Sequence, residues 1–148
     1  MVNPFDWRAV MLAKHAQHVV LIHFPIALFV TGAMFDVLAR GKRAALMAEA
    51  AYLNFSVAAA AVVPTIATGV MAWRFALDGV ALRGLLFWHL AAALTAATLV
   101  VASWWIHWRS RRREPLLRPR YRLAVELLGV LFIGLTAHLG GFLSGINA

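Results

Sequence analysis

The chain has 148 residues, 63% hydrophobic and only 14% charged, with no cysteine and a mean hydropathy of +0.78. An ordinary soluble domain is about half apolar and is excluded; the missing cysteines exclude disulfides, thiolate zinc sites, iron–sulfur clusters and covalently attached c-type haem. Its 14 Lys and Arg against 6 Asp and Glu give a formal net charge of +8, whose meaning depends on where those charges fall.

The first stretch, Met1–Gln17, mixes Asp6, Arg8 and Lys14 with apolar residues and has no separate apolar core, so it does not read as a cleavable signal peptide. Asn3 and Pro4 suit a helix cap and first-turn proline, and Phe5, Trp7, Val10 and Met11 can share one face of a short interfacial helix. Four apolar runs follow: Val19–Val37, Ala50–Ala72, Leu85–Ile106 and Leu123–Leu143. Each is 19–23 residues long, enough at about 1.5 Å per residue to cross a hydrocarbon core of about 30 Å. None alternates polar with apolar, so a β-barrel is excluded and helices are required to satisfy the backbone in lipid. The expected fold is an all-α membrane protein, a four-transmembrane-helix bundle forming a single domain over residues 1–148, with spans at about 18–39, 47–73, 85–107 and 123–144.

The basic residues orient it. The connection Arg109–Arg122 holds seven arginines and the first connection holds Arg40, Lys42 and Arg43, ten charges on one side against Arg8, Lys14, Arg74 and Arg83 on the other. This predicts a cytoplasmic basic side and periplasmic N and C termini, in a multi-pass protein of the bacterial inner membrane. Trp104, Trp105, Trp108 and Tyr121 suit an aromatic belt at that boundary. The arginine run reads as a topology signal and lipid-headgroup contact; nucleic-acid binding is excluded for lack of a folded platform.

Of six histidines, His23, His89 and His138 lie at one level about 6–7 Å inside the outer surface, on three different helices. His15 and His18 precede the first span, and His107, at the opposite face, is expected to be interfacial. Intramembrane ionisable groups are costly and usually functional. Two imidazoles on diagonal helices can clasp one b-type haem, which selects His23 and His89. His138 then sits at the haem edge, near a propionate or quinone headgroup, or replaces His23 as ligand; His18 is a weaker candidate. Ala92, Ala93, Ala96 and Ala97 below His89, Ala27 and Thr31 below His23, and Gly134, Gly140 and Gly141 around His138 supply the small residues a porphyrin needs, although such residues also serve plain helix packing. Pro25 is expected to bend the first helix and aim His23 inward. Pro64, with Thr65, Thr68 and Gly69, marks a flexible or polar point in the second span, and Asn54 and Ser56 are expected to bond between helices.

The acids suggest local pairs, Asp36 with Arg40 and Arg122 with Glu126, each four residues apart. Glu126, the deeper, could instead accept a proton. Glu49 suits the N-terminal dipole of the second helix. No nucleophile–base spacing or phosphate loop appears, so the chain is not expected to be an enzyme by itself.

The segment His18-Val-Val-Leu-Ile-His-Phe-Pro-Ile-Ala-Leu28 resembles the first helix of a bacterial family of four-helix membrane proteins of unknown function, in which it reads His-Pro-x-x-x-His-Phe-Pro-Ile-Ala-Leu. Trp88-His-Leu-Ala and the Gly140-Gly141 step extend the resemblance over most of the chain, while Val19 replaces the usual proline. The resemblance implies a redox-type membrane module with a histidine-bound cofactor, and it favours His23 and His89.

The residues taken alone leave three functions open. The first is a small b-type cytochrome holding one haem b, carrying electrons between the quinone pool and a periplasmic or membrane partner within a larger redox complex. The second is a cofactor-free structural or assembly subunit. The third is a copper or zinc protein built from His18, His23, His89 and His138.

Overall fold

The computed structural model describes residues 14–39, 41–113 and 120–144. It contains α1 (Lys14–Leu38), a short 3-10 turn (Gly41–Arg43), α2 (Ala44–Ala76), α3 (Gly84–Arg113) and α4 (Tyr121–Leu143). All four helices are long and apolar enough to cross a membrane, and no strand occurs among the described residues. The expected N-terminal interfacial helix, Arg40 and residues 114–119 of the arginine-rich connection lie outside the described residues.

The helices outrun the apolar segments. α2 begins at Ala44 and α3 continues to Arg113, because Trp and Arg side chains at a span's end can reach the headgroup layer while the backbone stays hydrogen-bonded. There Trp105 and Trp108 pack with ring centroids 4.8 Å apart, and the Arg112 guanidinium lies 4.3 Å above the Trp108 ring.

α1 packs along α2 and α3 along α4, with further contact between α2 and α3 and between α1 and α4. α1 and α3 are therefore diagonal, as are α2 and α4. Most interior positions of the two hairpins correspond, although Ala51, Ala72 and Ala92 are buried where their counterparts Arg122, Leu143 and Leu21 are only half-buried. A shift of 71 residues takes Pro25, Phe29, Gly32 and Asp36 of α1 onto Ala96, Val100, Ser103 and His107 of α3, and all eight are buried. The same shift takes Phe55, Ala58 and Val62 of α2 onto Glu126, Gly129 and Ile133 of α4, again all buried. Both hairpins run in the same sense, so the molecule has a pseudo-two-fold axis along the bundle. Parallel repeats of this kind build other membrane folds.

Small residues let the hairpins close on each other. Phe29 and Phe55, both fully buried, meet with ring centroids 5.3 Å apart. Phe55 lies over Gly32, and Phe29 lies over Gly129, where an added Cβ would come within 2.5 Å of Phe29 Cζ. The core runs from this layer toward the arginine-rich end, hereafter the basic end. Toward the opposite end, where the chain begins and finishes, the inward positions Ile22, Thr65, Gly69, Thr136 and Gly140 are only half-buried.

Gly129 and Gly134 give a paired test. Gly129→Ala drives a methyl into a ring that cannot move, and should lower stability by about 1–3 kcal/mol. Gly134 has nothing within 4 Å of an added Cβ, so Gly134→Ala should be neutral or gain up to about 1 kcal/mol from helix propensity. Unfolding midpoints in detergent measure both.

Candidate functional site

At the basic end of the core each helix contributes one inward side chain to a single layer: Asp36 from α1, Phe55 from α2, His107 from α3 and Glu126 from α4. Asp36 and Glu126 are each 2% exposed and His107 is 6% exposed. His107 Nε2 and Glu126 Oε1 share a hydrogen bond of 2.9 Å. Arg122 Nε donates to Asp36 Oδ2 at 2.7 Å, and the Phe55 ring lies against His107 with centroids 4.7 Å apart. Glu126 Oε2 and Ser103 Oγ are buried without a hydrogen-bond partner.

These placements correct four expectations. His107 is not an interfacial residue but part of the interior. Glu126 bonds to His107 and not to Arg122, which reaches across to α1 for Asp36: Glu126 lies on an inward face, where its nearest partner belongs to another helix. The expected Asp36–Arg40 pair involves Arg40, which lies outside the described residues. Glu49 lies beyond the first turn of α2 and pairs with Arg111 of α3. Asn54 and Ser56 donate to Ala50 O and Tyr52 O of their own helix, the local bonding that short polar side chains find within a helix.

Beside the layer, a cavity of about 280 Å³ is lined by Glu49, Tyr52, His107, Ser110, Arg111 and Arg122, together with two alanines. Glu49 and Arg111, both about half-exposed, are ion-paired there, and the Arg111 guanidinium lies 4.3 Å over the Tyr52 ring. The cavity brings the bundle's basic surface to the His107 side chain.

The donor atoms of Asp36, His107 and Glu126 lie within 4.8 Å of one another, a span that one small ion could bridge. Among the described residues, the charge balance favours a proton over a divalent ion. With both carboxylates ionised and Arg122 positive, a neutral His107 leaves the group one positive charge short. One proton fills that deficit, whereas a divalent cation overshoots it, and a net charge of either sign is costly in a low-dielectric interior.

The histidines near the other end do not meet as the sequence suggests. His23 is exposed, and its Nδ1 donates to Val19 O of its own helix. Pro25 is itself buried. Two residues along a helix are about 200° around it, so burying Pro25 turns His23 outward. Ala27 is likewise exposed, and His138 is exposed and edge-on to Phe142. His89 instead turns toward α4, where Nδ1 donates to Thr136 O at 3.1 Å and the ring lies over Gly140. Ala92 and Ala96 below it are buried and Ala93 half-buried. His18 does the same in the first hairpin: Nδ1 lies 3.3 Å from Thr68 Oγ1 and the ring lies over Gly69. The 71-residue shift takes His18 onto His89 and Gly69 onto Gly140. The residue in the seat equivalent to that of His89 is thus His18, a half-buried residue that the sequence ranks low.

Breaking the Asp36–Arg122 pair takes a charge-assisted hydrogen bond from a buried carboxylate. Arg122→Leu should cost about 3–5 kcal/mol, most of it recovered by adding Asp36→Leu, since removing both charges leaves none unpaired. Comparing unfolding midpoints of the single and double variants checks this.

No curated protein and no solved structure matches the chain. Residues 14–145 match the family described as predicted membrane protein (DUF2231). With all four spanning helices inside that match, the chain belongs to this family of membrane proteins.

Proposed function

We propose that the chain is a small b-type cytochrome-like membrane subunit, with His18 and His89 as the two imidazoles that hold the group. The observation that carries this reading is the equivalence of their seats. Each ring rests on the equivalent helix glycine of the next span, and each Nδ1 is engaged by a protein oxygen, the Thr68 hydroxyl for His18 and the Thr136 carbonyl for His89. Engagement of one ring nitrogen by a protein oxygen is the usual way a ligating imidazole is oriented. Two side chains related by a two-fold axis reach the same height on it, so what they hold together lies on the axis.

The donor set suits a haem better than a bare ion. Two inward imidazoles leave a copper or zinc ion short of ligands, whereas a porphyrin brings four nitrogens of its own and needs only two axial partners. Room is a matter of level. Ala92 and Ala96 are covered by protein and leave no bed for a flat ring, so the alanine face of α3 does not serve. The half-buried inward positions nearer the chain termini are where the bundle is open. Bound there, the group would supply one-electron chemistry; the chain's residues would grip it and keep it within reach of the membrane surface. Exchange with the quinone pool and a periplasmic or membrane partner follows on this reading, with the basic end cytoplasmic.

The cofactor-free structural subunit is the second reading, favoured by the tight packing of Ala92 and Ala96. A visible spectrum of the protein purified from membranes, before and after dithionite, separates the two. The expected result is a sharp band set that shifts on reduction, is lost in His18→Ala and in His89→Ala, and survives in His23→Ala and His138→Ala. Added imidazole should restore it to His89→Gly. A featureless spectrum in the parent protein, also after addition of haemin, supports the structural subunit instead; loss of the bands in His23→Ala overturns the assignment of His18.

A further inference from the structure

The layer at the basic end is not needed for a haem near the other end, and it has a chemistry of its own. We propose that the His107–Glu126 pair is a proton-exchanging site, reached from the basic end through the adjoining cavity, with Glu49 as its outermost acceptor. This proposal does not rest on the cytochrome reading.

Among the described residues, the charged and titratable groups that face the pair are few. Asp36 comes from α1, Glu49 and Tyr52 from α2, Arg111 from α3 and Arg122 from α4. Asp36 and Arg122 cancel each other, as do Glu49 and Arg111. His107 and Glu126 together are then neutral with one proton between them. That proton has two homes separated by a single 2.9 Å hydrogen bond. It sits either on Nε2, which donates to the carboxylate, or on Oε1, which donates to the neutral imidazole. Moving it between them changes neither the net charge nor any other partner. Adding a second proton leaves the layer at plus one, and removing the first leaves it at minus one. The pair can thus take up or release one proton at a time. Glu126 Oε2, buried and unpartnered, offers a second oxygen to an incoming proton or water.

Access is one-sided. His107 and Arg122 line the cavity, so the pair has a polar route to the basic end. In the other direction the Phe29 and Phe55 rings, seated over Gly129 and Gly32, close the interior with apolar groups. The half-exposed Glu49–Arg111 pair stands at the mouth of the cavity. Exposed ion pairs are weak, worth about 0–1 kcal/mol, so this one can open readily and pass a proton from Glu49 inward.

Infrared difference spectra between acidic and alkaline buffer, recorded on protein reconstituted in phosphatidylcholine vesicles, test the proposal. The parent protein should show a carboxyl band changing together with imidazole bands in one transition. Glu126→Gln should remove the carboxyl band and His107→Gln the imidazole bands. Glu49→Gln should keep the transition but slow deuterium exchange of the carboxyl proton by about tenfold or more. An unchanged exchange rate in Glu49→Gln overturns its role as outermost acceptor. A parent spectrum with no change assignable to Glu126 overturns the site itself. Circular dichroism of each variant separates loss of fold from loss of the site, and Glu126→Asp should restore a carboxyl band if the fold is kept.

Discussion

Burying two carboxylates, an arginine and a histidine in a membrane bundle is tolerable only if the charges cancel within the layer that holds them. The arrangement at the basic end meets that requirement across three helices. Arg122 of α4 neutralises Asp36 of α1, and His107 of α3 shares a proton's worth of charge with Glu126 of α4. The layer therefore ties α1 and α3 to α4, fixes their rotation about their own axes, and lets no member be lost without stranding another. A bundle whose spans are otherwise apolar has little else that specifies which face of each helix turns inward, because lipid tails accept a leucine as readily as a neighbouring helix does.

The pseudo-two-fold arrangement shows how such a layer was accommodated on a simple scaffold. At equivalent positions the first hairpin carries Gly32, Ala51 and Phe55, and the second carries Ser103, Arg122 and Glu126. One half is a glycine-and-aromatic packing surface, the other its polar counterpart. Phe55 fills the place that Glu126 takes in the second hairpin and presses against His107. Polarity is thus confined to one half of the layer, with an aromatic wall opposite. The same symmetry is kept, not broken, near the chain termini, where His18 and His89 occupy matching seats over Gly69 and Gly140. A symmetric pair at one end and an asymmetric charged layer at the other divide the interior into two regions, with the Phe29–Phe55 contact between them.

Depth along a helix is legible in a sequence, and rotation about it is much less so. His23 lies at the right depth, yet its ring turns away from the interior. The faces could have been found from spacing. His18 and Asp36 are 18 residues apart, about five full turns, and Pro25, Phe29 and Gly32 fall on the same line between them. His89 and His107 are likewise 18 apart, with Ala92, Ala96, Val100 and Ser103 between. Aligning the chain with itself at a 71-residue offset exposes the correspondence, but few identities mark it: His18 with His89, Leu28 with Leu99, Val30 with Val101, Arg40 with Arg111, Leu46 with Leu117, Thr65 with Thr136 and Gly69 with Gly140. Elsewhere the two hairpins share burial and not residue type, which is why the repeat is hard to read before the helices are packed.

The sequence alone determined the class and the four spans, because the length of an apolar run and the ban on unpaired backbone in lipid are local constraints that no tertiary contact can override. It also marked Glu126 as the acid most able to handle a proton. Which side chains answer one another was decided only by the packed bundle. Asp36 meets Arg122 from 86 residues away, and His107 meets Glu126 across a helix interface. Such partnerships depend on helix rotation and on close approach at a few glycines. Those are properties of the assembled interior, and no single span carries them.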